Sequence, residues 1–542
     1  MRMKLAKAWT QGILLASGTL AAVCGARAQT IPPVPGASVP AEAASSAAAA
    51  QQLALPPSTY VVPSVAVVGT QTSNANFGTG APARSDTVLQ VTPRLLLHSQ
   101  HARWSVDGNL GLTGNYYVSG VQPNVIAPAG AATLHSEWVK DLLFLDAGFS
   151  AAQQSISPYQ GQGGPVQGSS YSSTQWRVSP YVDRLLRPGL RLLARSDDTW
   201  TRVANTPNQT GIFGGRYLDQ QISLEQVPQR LGYLVAARQT YATYDGEPYA
   251  WLRDTTFRVA PSLALGAHAV FSLIGGQEKV QGYSAKDNNT IYGARLQWRP
   301  APITSLDAAI EHRFFGTGWS VLAGAGTPQA RVSLRWNRDA TSGLSPIGTA
   351  SSTLAGGNIG ELLTSLLSTQ YPDPLQRARV VQNLLGDSGL PAGLSTAGGY
   401  YTTSSLLQSS LVLTGLLVRQ RNSYALSIYR SRIEDLFLPG QELLRVIQTT
   451  SNDNVQTGAA FNYGRRLSPL DSLNITLQQE NDSGFGLNQG LSARQRSLIA
   501  QLDHRLSTRT TALIGARRQL LTSTRVSGST ETAVFAGLVH RF

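Results

Sequence analysis

Three observations predict the fold class. Apolar and polar residues alternate with period two over most of the chain, connections alternate between short and long, and the amino terminus reads as a secretory leader. Together they predict an all-β chain: a transmembrane, outer-membrane antiparallel β-barrel of about 22 strands (range roughly 18–24), with a two-helix insertion in one long extracellular loop.

Composition narrows the choice before any pattern is read. Of 542 residues, 14% are charged, against about 25% in an ordinary soluble domain. Yet the hydrophobic fraction is 42% and the mean hydropathy −0.11, too polar for a bundle of membrane helices. The nine Trp, 19 Tyr and 13 Phe argue against a disordered chain, and the single Cys excludes a disulfide scaffold.

Residues 1–28 carry the leader. Arg2, Lys4 and Lys7 precede an apolar run from Gly12 to Cys24, and Ala26-Arg27-Ala28 forms an A-x-A cleavage site before Gln29. The run is shorter than the roughly 20 residues a spanning helix needs. A lipidated Cys24 is disfavoured by Val23, because a small residue is needed before such a Cys. Cleavage after Ala28 would remove Arg2, Lys4, Lys7 and Arg27, so the formal charge falls from +13 by 4 to +9, with no Cys left. Residues 29–58 are rich in Ala and Pro and read as a flexible, partly polyproline-like periplasmic tail. The barrel is expected over 59–542, without any spanning helix.

Strand positions follow from the alternation. Trp104, Val106, Leu110, Leu112 and Tyr116 share one parity, with Ser105, Asp107, Asn109, Thr113 and Asn115 on the other. Tyr292, Ala294, Leu296 and Trp298 alternate with Gly293, Arg295, Gln297 and Arg299. Comparable runs cover Leu306–Phe314, Val332–Asn337 and Leu498–Leu506. Soluble sandwiches also alternate, but their strands average about five or six residues, and these are longer.

The connections orient the barrel. Short turns are predicted at Ser99–Ala102, Arg187–Gly189, Pro228–Leu231, Pro300–Ile303, Thr327–Gln329, Ser468–Asp471 and Ser507–Thr510. Longer links are predicted at 118–131, 154–170, 203–217, 244–251, 340–401, 433–453 and 483–493. Short turns and both termini are therefore expected in the periplasm and long loops outside, in the outer membrane of a Gram-negative bacterium. Val534, Ala536, Leu538, His540 and Phe542 occupy alternate places, and Phe542 is expected to serve as an assembly signal for the barrel-insertion machinery.

Several segments resemble the outer-membrane barrel proteins associated with the PEP-CTERM/exosortase system and its exopolysaccharide loci. They are Trp138-Val139-Lys140-Asp141-Leu142-Leu143-Phe144-Leu145-Asp146-Ala147, Gln153-Gln154-Ser155-Ile156-Ser157, Arg313-Phe314-Phe315-Gly316-Thr317-Gly318-Trp319 and Arg335-Trp336-Asn337-Arg338-Asp339. Tyr371-Pro372-Asp373-Pro374, Gly389-Leu390-Pro391 and Arg430-Ser431-Arg432-Ile433-Glu434-Asp435 continue the series, which runs over roughly residues 60–542. The resemblance implies an outer-membrane location and a link to polysaccharide production or export, with exopolysaccharide or export-system proteins as partners. It implies no catalytic residues.

The loop 340–401 contains two helical patterns. Ile359, Leu362, Leu363, Leu366 and Leu367 follow i, i+3, i+4, i+7, i+8 spacing. The second starts at Asp373-Pro374, continues through Val380, Val381, Leu384 and Leu385, and stops at Gly386. A barrel this wide needs a plug or acts as a pore. The hairpin is expected either to gate the extracellular mouth or to cap it structurally.

Arg295, Arg299, Arg313, Arg331 and Arg335, interspersed with Asp307 and Glu311, fall on the face predicted to line the lumen. They form either a cationic track for an anionic polysaccharide or an Arg–acid ladder bracing adjacent strands.

Other functions find little support. No His spacing matches a metal motif, no nucleophile elbow sits between a strand and a helix, and the basic residues are spread rather than clustered as for nucleic acid. No enzyme activity and no cofactor are expected. Only Gln29–Ser58 is available before the first strand, too little for the globular plug of a TonB-type receptor. The expected function is a pore or gated channel in exopolysaccharide export, with a non-conducting structural barrel or a general porin as alternatives. Outer-membrane lipids are the remaining expected partner.

Overall fold

The computed structural model describes residues 59–155, 157–159, 170–204, 214–245, 247–301, 303–327, 329–342, 344, 405–438 and 452–542. The leader, the 29–58 tail and both helical patterns of the 340–401 loop (Ile359, Leu362, Leu363, Leu366, Val381 and Leu384 among them) lie outside the described residues.

The described residues form strands in almost unbroken succession: β1 (Thr59–Thr72), β2 (Asp86–Gln100), β3 (Trp104–Tyr117), β4 (Val125–Val139), β5 (Leu143–Ser155), β6 (Ser170–Arg187), β7 (Leu190–Ala204), β8 (Gly215–Gln226), β9 (Leu231–Tyr244), β10 (Glu247–Ala264) and β11 (Ala269–Gly282). They continue as β12 (Ala285–Ala301), β13 (Thr304–Arg313), β14 (Gly316–Gly326), β15 (Ala330–Ser342), β16 (Ser405–Val418), β17 (Asn422–Asp435), β18 (Asn454–Arg466), β19 (Asp471–Gly484), β20 (Ser492–Arg505), β21 (Thr510–Ser523) and β22 (Ser529–Arg541). Each strand pairs antiparallel with its sequence neighbours, and β1 pairs with β22 from Ser64↔Arg541 to Thr72↔Ala533. The sheet therefore closes, with 22 strands among the described residues, the number the alternation predicts. Closure leaves no unpaired edge, which is the condition for a sheet in lipid.

Two links are shorter than expected. β4 begins at Val125 rather than 132, because Val125–Ala131 pairs with β3 although Pro128 and Gly130 interrupt its pattern. β10 begins at Glu247 rather than 252, so the predicted 244–251 link spans only 245–246, where Asp245-Gly246 is a hairpin-turn dipeptide.

The two ends of the barrel differ. Both chain ends and connections of two to four residues gather at one, hereafter the terminal end; the opposite, long-loop end carries 73–85, 156–169, 343–404 and 436–453. The tight turns use local chemistry: Pro188 presets its φ and Gly189 takes φ +80°, the positive angle a type II turn needs at its third position.

One face of every strand is apolar and exposed, as at Val67, Leu89, Leu112, Phe257, Leu273, Val332, Leu411, Leu477, Ile514 and Leu538. On β20 the outward positions Leu502, Ala500 and Leu498 are apolar and lie between His504, which meets Asp471 at 2.7 Å, and Arg496. The eight residues from His504 to Arg496, at about 3.3 Å each and tilted about 40°, put roughly 20 Å between these polar limits, near the height of a bilayer core seen by a barrel. The barrel spans a membrane.

The closing seam carries a buried ion pair. Arg517 donates to Glu531 through Nε (3.1 Å) and Nη2 (2.9 Å), and the Thr72 hydroxyl donates to Oε1 (2.7 Å), linking β21, β22 and β1. Both charged side chains are almost wholly buried. Truncating one partner strands the other charge, so Glu531→Ala is expected to cost about 3 kcal/mol. Urea unfolding followed by the electrophoretic shift of the folded barrel measures this, and adding Arg517→Met should restore most of the loss.

The cross-section is not round. At a strand spacing of about 4.8 Å and a tilt of about 40°, a circular barrel of this strand count would have a backbone radius of roughly 22 Å. Instead β10 and β16, six strands apart, bring Cα atoms within 8 Å of one another. The wall from β11 to β15 is thereby folded off as a side lobe.

Candidate functional site: the barrel lumen

Burial of the inward side chains changes along the axis. Near the terminal end several on β3, β12 and β14 are open: Asp107 is 54% exposed, Leu322 47%, and Arg299 is also exposed, whereas those of β17–β22 are buried down to that end, as at Ser423, Asn474, Asp503, Thr511 and Val539. Towards the long-loop end Ser173, Thr199 and Glu311 are all 0% exposed. On the β3–β14 side the lumen is thus a vestibule at the terminal end that closes towards the long-loop end; on the β17–β22 side its wall is covered at both ends. Several aromatic rings face into the vestibule side. Tyr60 lies 5.0 Å from His98, and Phe144 stacks on Tyr181 at 5.1 Å with the Arg195 guanidinium 4.7 Å above Tyr181. His98 Nδ1 lies 2.7 Å from Asp107 Oδ1.

Above this region the wall of β7–β10 carries two parallel inward rows. Direct cross-strand pairing places Arg195, Gln221, Arg238 and Thr256 in one row. Asp197, Asp219, Thr240 and Asp254 form the next row, one step nearer the long-loop end. Cations therefore sit beneath carboxylates and pair with them. Arg195 donates to Asp197 (2.9 Å) and Asp146 (3.0 Å), and Arg238 donates to Asp219 through Nε at 2.8 Å. Bidentate Arg–carboxylate geometry of this kind braces the wall and cancels its charge.

The side lobe is filled by a second ionic cluster. Arg258 Nε donates to Glu311 at 3.0 Å, joining β10 to β13 across the fold in the wall. Arg313 donates to Glu278 (Nε, 2.8 Å), Asp254 (Nη2, 2.6 Å) and Asp339 (Nη1, 3.4 Å), while the Phe314 N–H donates to the second Glu278 oxygen at 2.8 Å. Glu278, Glu311 and Arg313 are all buried. Gly293, opposite Glu311, makes the close approach possible: a Cβ there would lie 1.7 Å from the Ile310 carbonyl oxygen.

The wall of β16–β20 differs. Its inward positions are mainly amides and hydroxyls, such as Ser410, Thr414, Ser427, Gln456, Asn462 and Asn474, interrupted by Glu480, Asp482 and Asp503. Gln501 and Asn474 donate to Asp503 at 2.7 and 3.5 Å.

Two ties cross the long-loop end. Leu344, just past β15, is fully buried against Ala242, Tyr244, Val203 and Tyr217 of β7–β9, and its carbonyl accepts from Gln175 of β6 at 3.4 Å. The hydroxyls of Tyr244 and Ser342 meet at 2.7 Å. On the other side Tyr159, from the β5–β6 connection, packs on Phe77, Ala493 and Leu521, and its carbonyl accepts from the Ser523 hydroxyl at 2.8 Å. Burial, with Asp482 nearby, pushes the Tyr159 hydroxyl up to about 12.

The residues singled out by alternation fall into three groups. Arg295 meets Asp307 (Nε–Oδ1 2.8 Å), whereas Glu311 and Arg313 pair with residues of more distant strands. Arg331 donates to the Ile303 carbonyl, and Arg335 lies inward beside Leu322. Arg299 stands exposed at the terminal mouth, and Phe542, also exposed, sits past β22 with its ring 4.9 Å from His540 and its N–H on the Pro63 carbonyl. Arg195, Arg238, Arg258, Asp254 and Glu278 were not singled out, although the same period-two alternation marks them as inward. Among the described residues no cluster of His, Cys, Asp and Glu could hold a metal ion.

No family model matches the chain, and no curated protein matches it. Solved structures of similar backbone include the siderophore receptor PirA from Acinetobacter baumannii, at 9% identity, covering 89% of this chain and 80% of that one (TM-score 0.45). OccAB1 from the same organism is 9% identical, over 90% of this chain and 97% of its own (TM-score 0.32). OccK1 from Pseudomonas aeruginosa is 8% identical, over 89% and 99% (TM-score 0.33). At these identities the likeness carries no residue and no ligand across.

Proposed function

We propose that this outer-membrane barrel is a gated conduit for uncharged, hydroxyl-rich solutes, with its vestibule and termini in the periplasm. Saccharide chains in exopolysaccharide export are the cargo, as the sequence resemblance implies. The observation that carries this reading is the axial asymmetry of the lumen on its β3–β14 side: open and partly aromatic at the terminal end, with Leu344 and Tyr159 tying the other end. Chemistry supports it too. Paired rows leave little net field on the β7–β10 wall, and the amides and hydroxyls of β16–β20, covered in this closed form, would offer an opened lumen hydrogen-bond donors and acceptors without ionic selection.

Proteoliposome swelling tests the solute class. A neutral trisaccharide is expected to enter at least about threefold faster than a sulfated one of equal size, because fixed lumen charges are paired and the sulfate must be desolvated. Faster entry of the sulfated sugar would overturn the reading in favour of a cationic track. The complete burial of Ser427 and Gln456 favours a second reading, a sealed structural barrel, which predicts no swelling with either solute.

A further inference from the structure

The outer surface also carries unpaired charge, and its arginines cluster on one side. Above the apolar belt of β17–β21, towards the long-loop end, Arg430, Arg494, Arg496 and Arg518 all point outward and are exposed. Register makes them one patch. Arg430 pairs with Thr457, Thr457 with Asn481 and Asn481 with Arg494, so a single row spans β17–β20. Arg518 pairs with Leu498, two residues from Arg496 on β20, which places the two arginines on a cross-strand diagonal.

Arg494 donates to Asn481 at 2.7 Å; among the described residues, Arg430, Arg496 and Arg518 have no hydrogen-bond or ion-pair partner. The outward acid of β17, Glu434, is already paired with Arg432. Three outward arginines elsewhere towards the long-loop end are engaged. Arg216 is paired with Asp198, Arg253 stacks 4.8 Å over Tyr241, and Arg338 donates to the Thr317 carbonyl. Directly beneath the free patch lies an exposed apolar shelf of Leu477, Leu498 and Ile514.

A cationic cluster at the headgroup level over an apolar shelf matches an amphiphile with acyl chains below and phosphates above. Guanidinium groups bind phosphate oxygens bidentately, and a partly dehydrated interface strengthens such contacts. We propose that Arg430, Arg494, Arg496 and Arg518 form a docking surface for a phosphorylated glycolipid of the outer leaflet. The leaflet assignment rests on the orientation given under Proposed function; the preference for phosphate does not.

The test uses the full chain, folded in detergent and checked by its electrophoretic shift. Native mass spectrometry compares a bisphosphorylated acyl-disaccharide lipid, its dephosphorylated form, phosphatidylglycerol and inorganic phosphate. The phosphorylated glycolipid is expected to bind about tenfold more tightly than its dephosphorylated form, with R496Q/R518Q losing about that factor and R496K/R518K keeping most of it. Equal binding of the dephosphorylated lipid, or no loss in R496Q/R518Q, would overturn the proposal. Competition by equimolar inorganic phosphate would overturn the lipid as ligand, and a preference for phosphatidylglycerol would overturn the glycolipid. Labelling of an Arg525→Cys variant in intact cells with an impermeant maleimide tests the orientation independently. Absence of label with phosphate-dependent binding intact overturns the leaflet assignment and leaves the patch standing.

Discussion

Replacing Arg313 with Leu is expected to cost about 5 kcal/mol, the upper end for removing one member of a buried ion cluster. Arg313 is 5% exposed and serves Asp254, Glu278 and Asp339 at once. Its loss leaves Asp254, Glu278 and Asp339 facing one another, with Glu278 wholly buried; the nearest arginine on β10, Arg258, is committed to Glu311. Urea unfolding of the inserted barrel measures the loss. If repulsion among the stranded acids is its cause, adding D254N and E278Q should recover most of it. A change within about 1 kcal/mol would mean that the lobe is open to water, contrary to the burial described here.

Loosening the Leu344 tie should alter permeability more than stability. Leu344→Ala removes a fully buried side chain, a change that costs about 2–5 kcal/mol in a packed site, and Tyr244→Phe removes a hydroxyl pair worth about 1 kcal/mol. These contacts join β7–β9 to the chain leaving β15 and are no part of the strand ladders, so they stabilise the closed mouth more than the barrel wall. A differential loss of about 3 kcal/mol shifts a closed–open equilibrium by roughly 100-fold. Cells carrying L344A/Y244F are therefore expected to become about tenfold more sensitive to bulky hydrophilic antibiotics that the intact outer membrane excludes, at unchanged barrel abundance. Unchanged sensitivity would place the tie outside the permeation path.

How much of this was legible depends on the range of each interaction. Strand number and facing were readable because a one-residue slip would turn the apolar side chains into the lumen, so the pattern marks each strand. Arg295 and Asp307 sit on adjacent strands, close enough for period two to place them on one wall. Arg258–Glu311 and Tyr244–Ser342 join strands three and six apart, and depend on where the wall folds rather than on local pattern. Nothing around Tyr244 or Leu344 announces that fold. Asp245-Gly246 marks the early start of β10, because its turn preference outweighs the weak alternation after it.

Single-channel recording in planar bilayers tests the gated conduit most directly. The wild-type barrel is expected to be closed most of the time with brief openings, and L344A/Y244F to be open most of the time at the same unit conductance. Silence from both proteins would contradict a conduit, and equal, continuous current from both would contradict the gate.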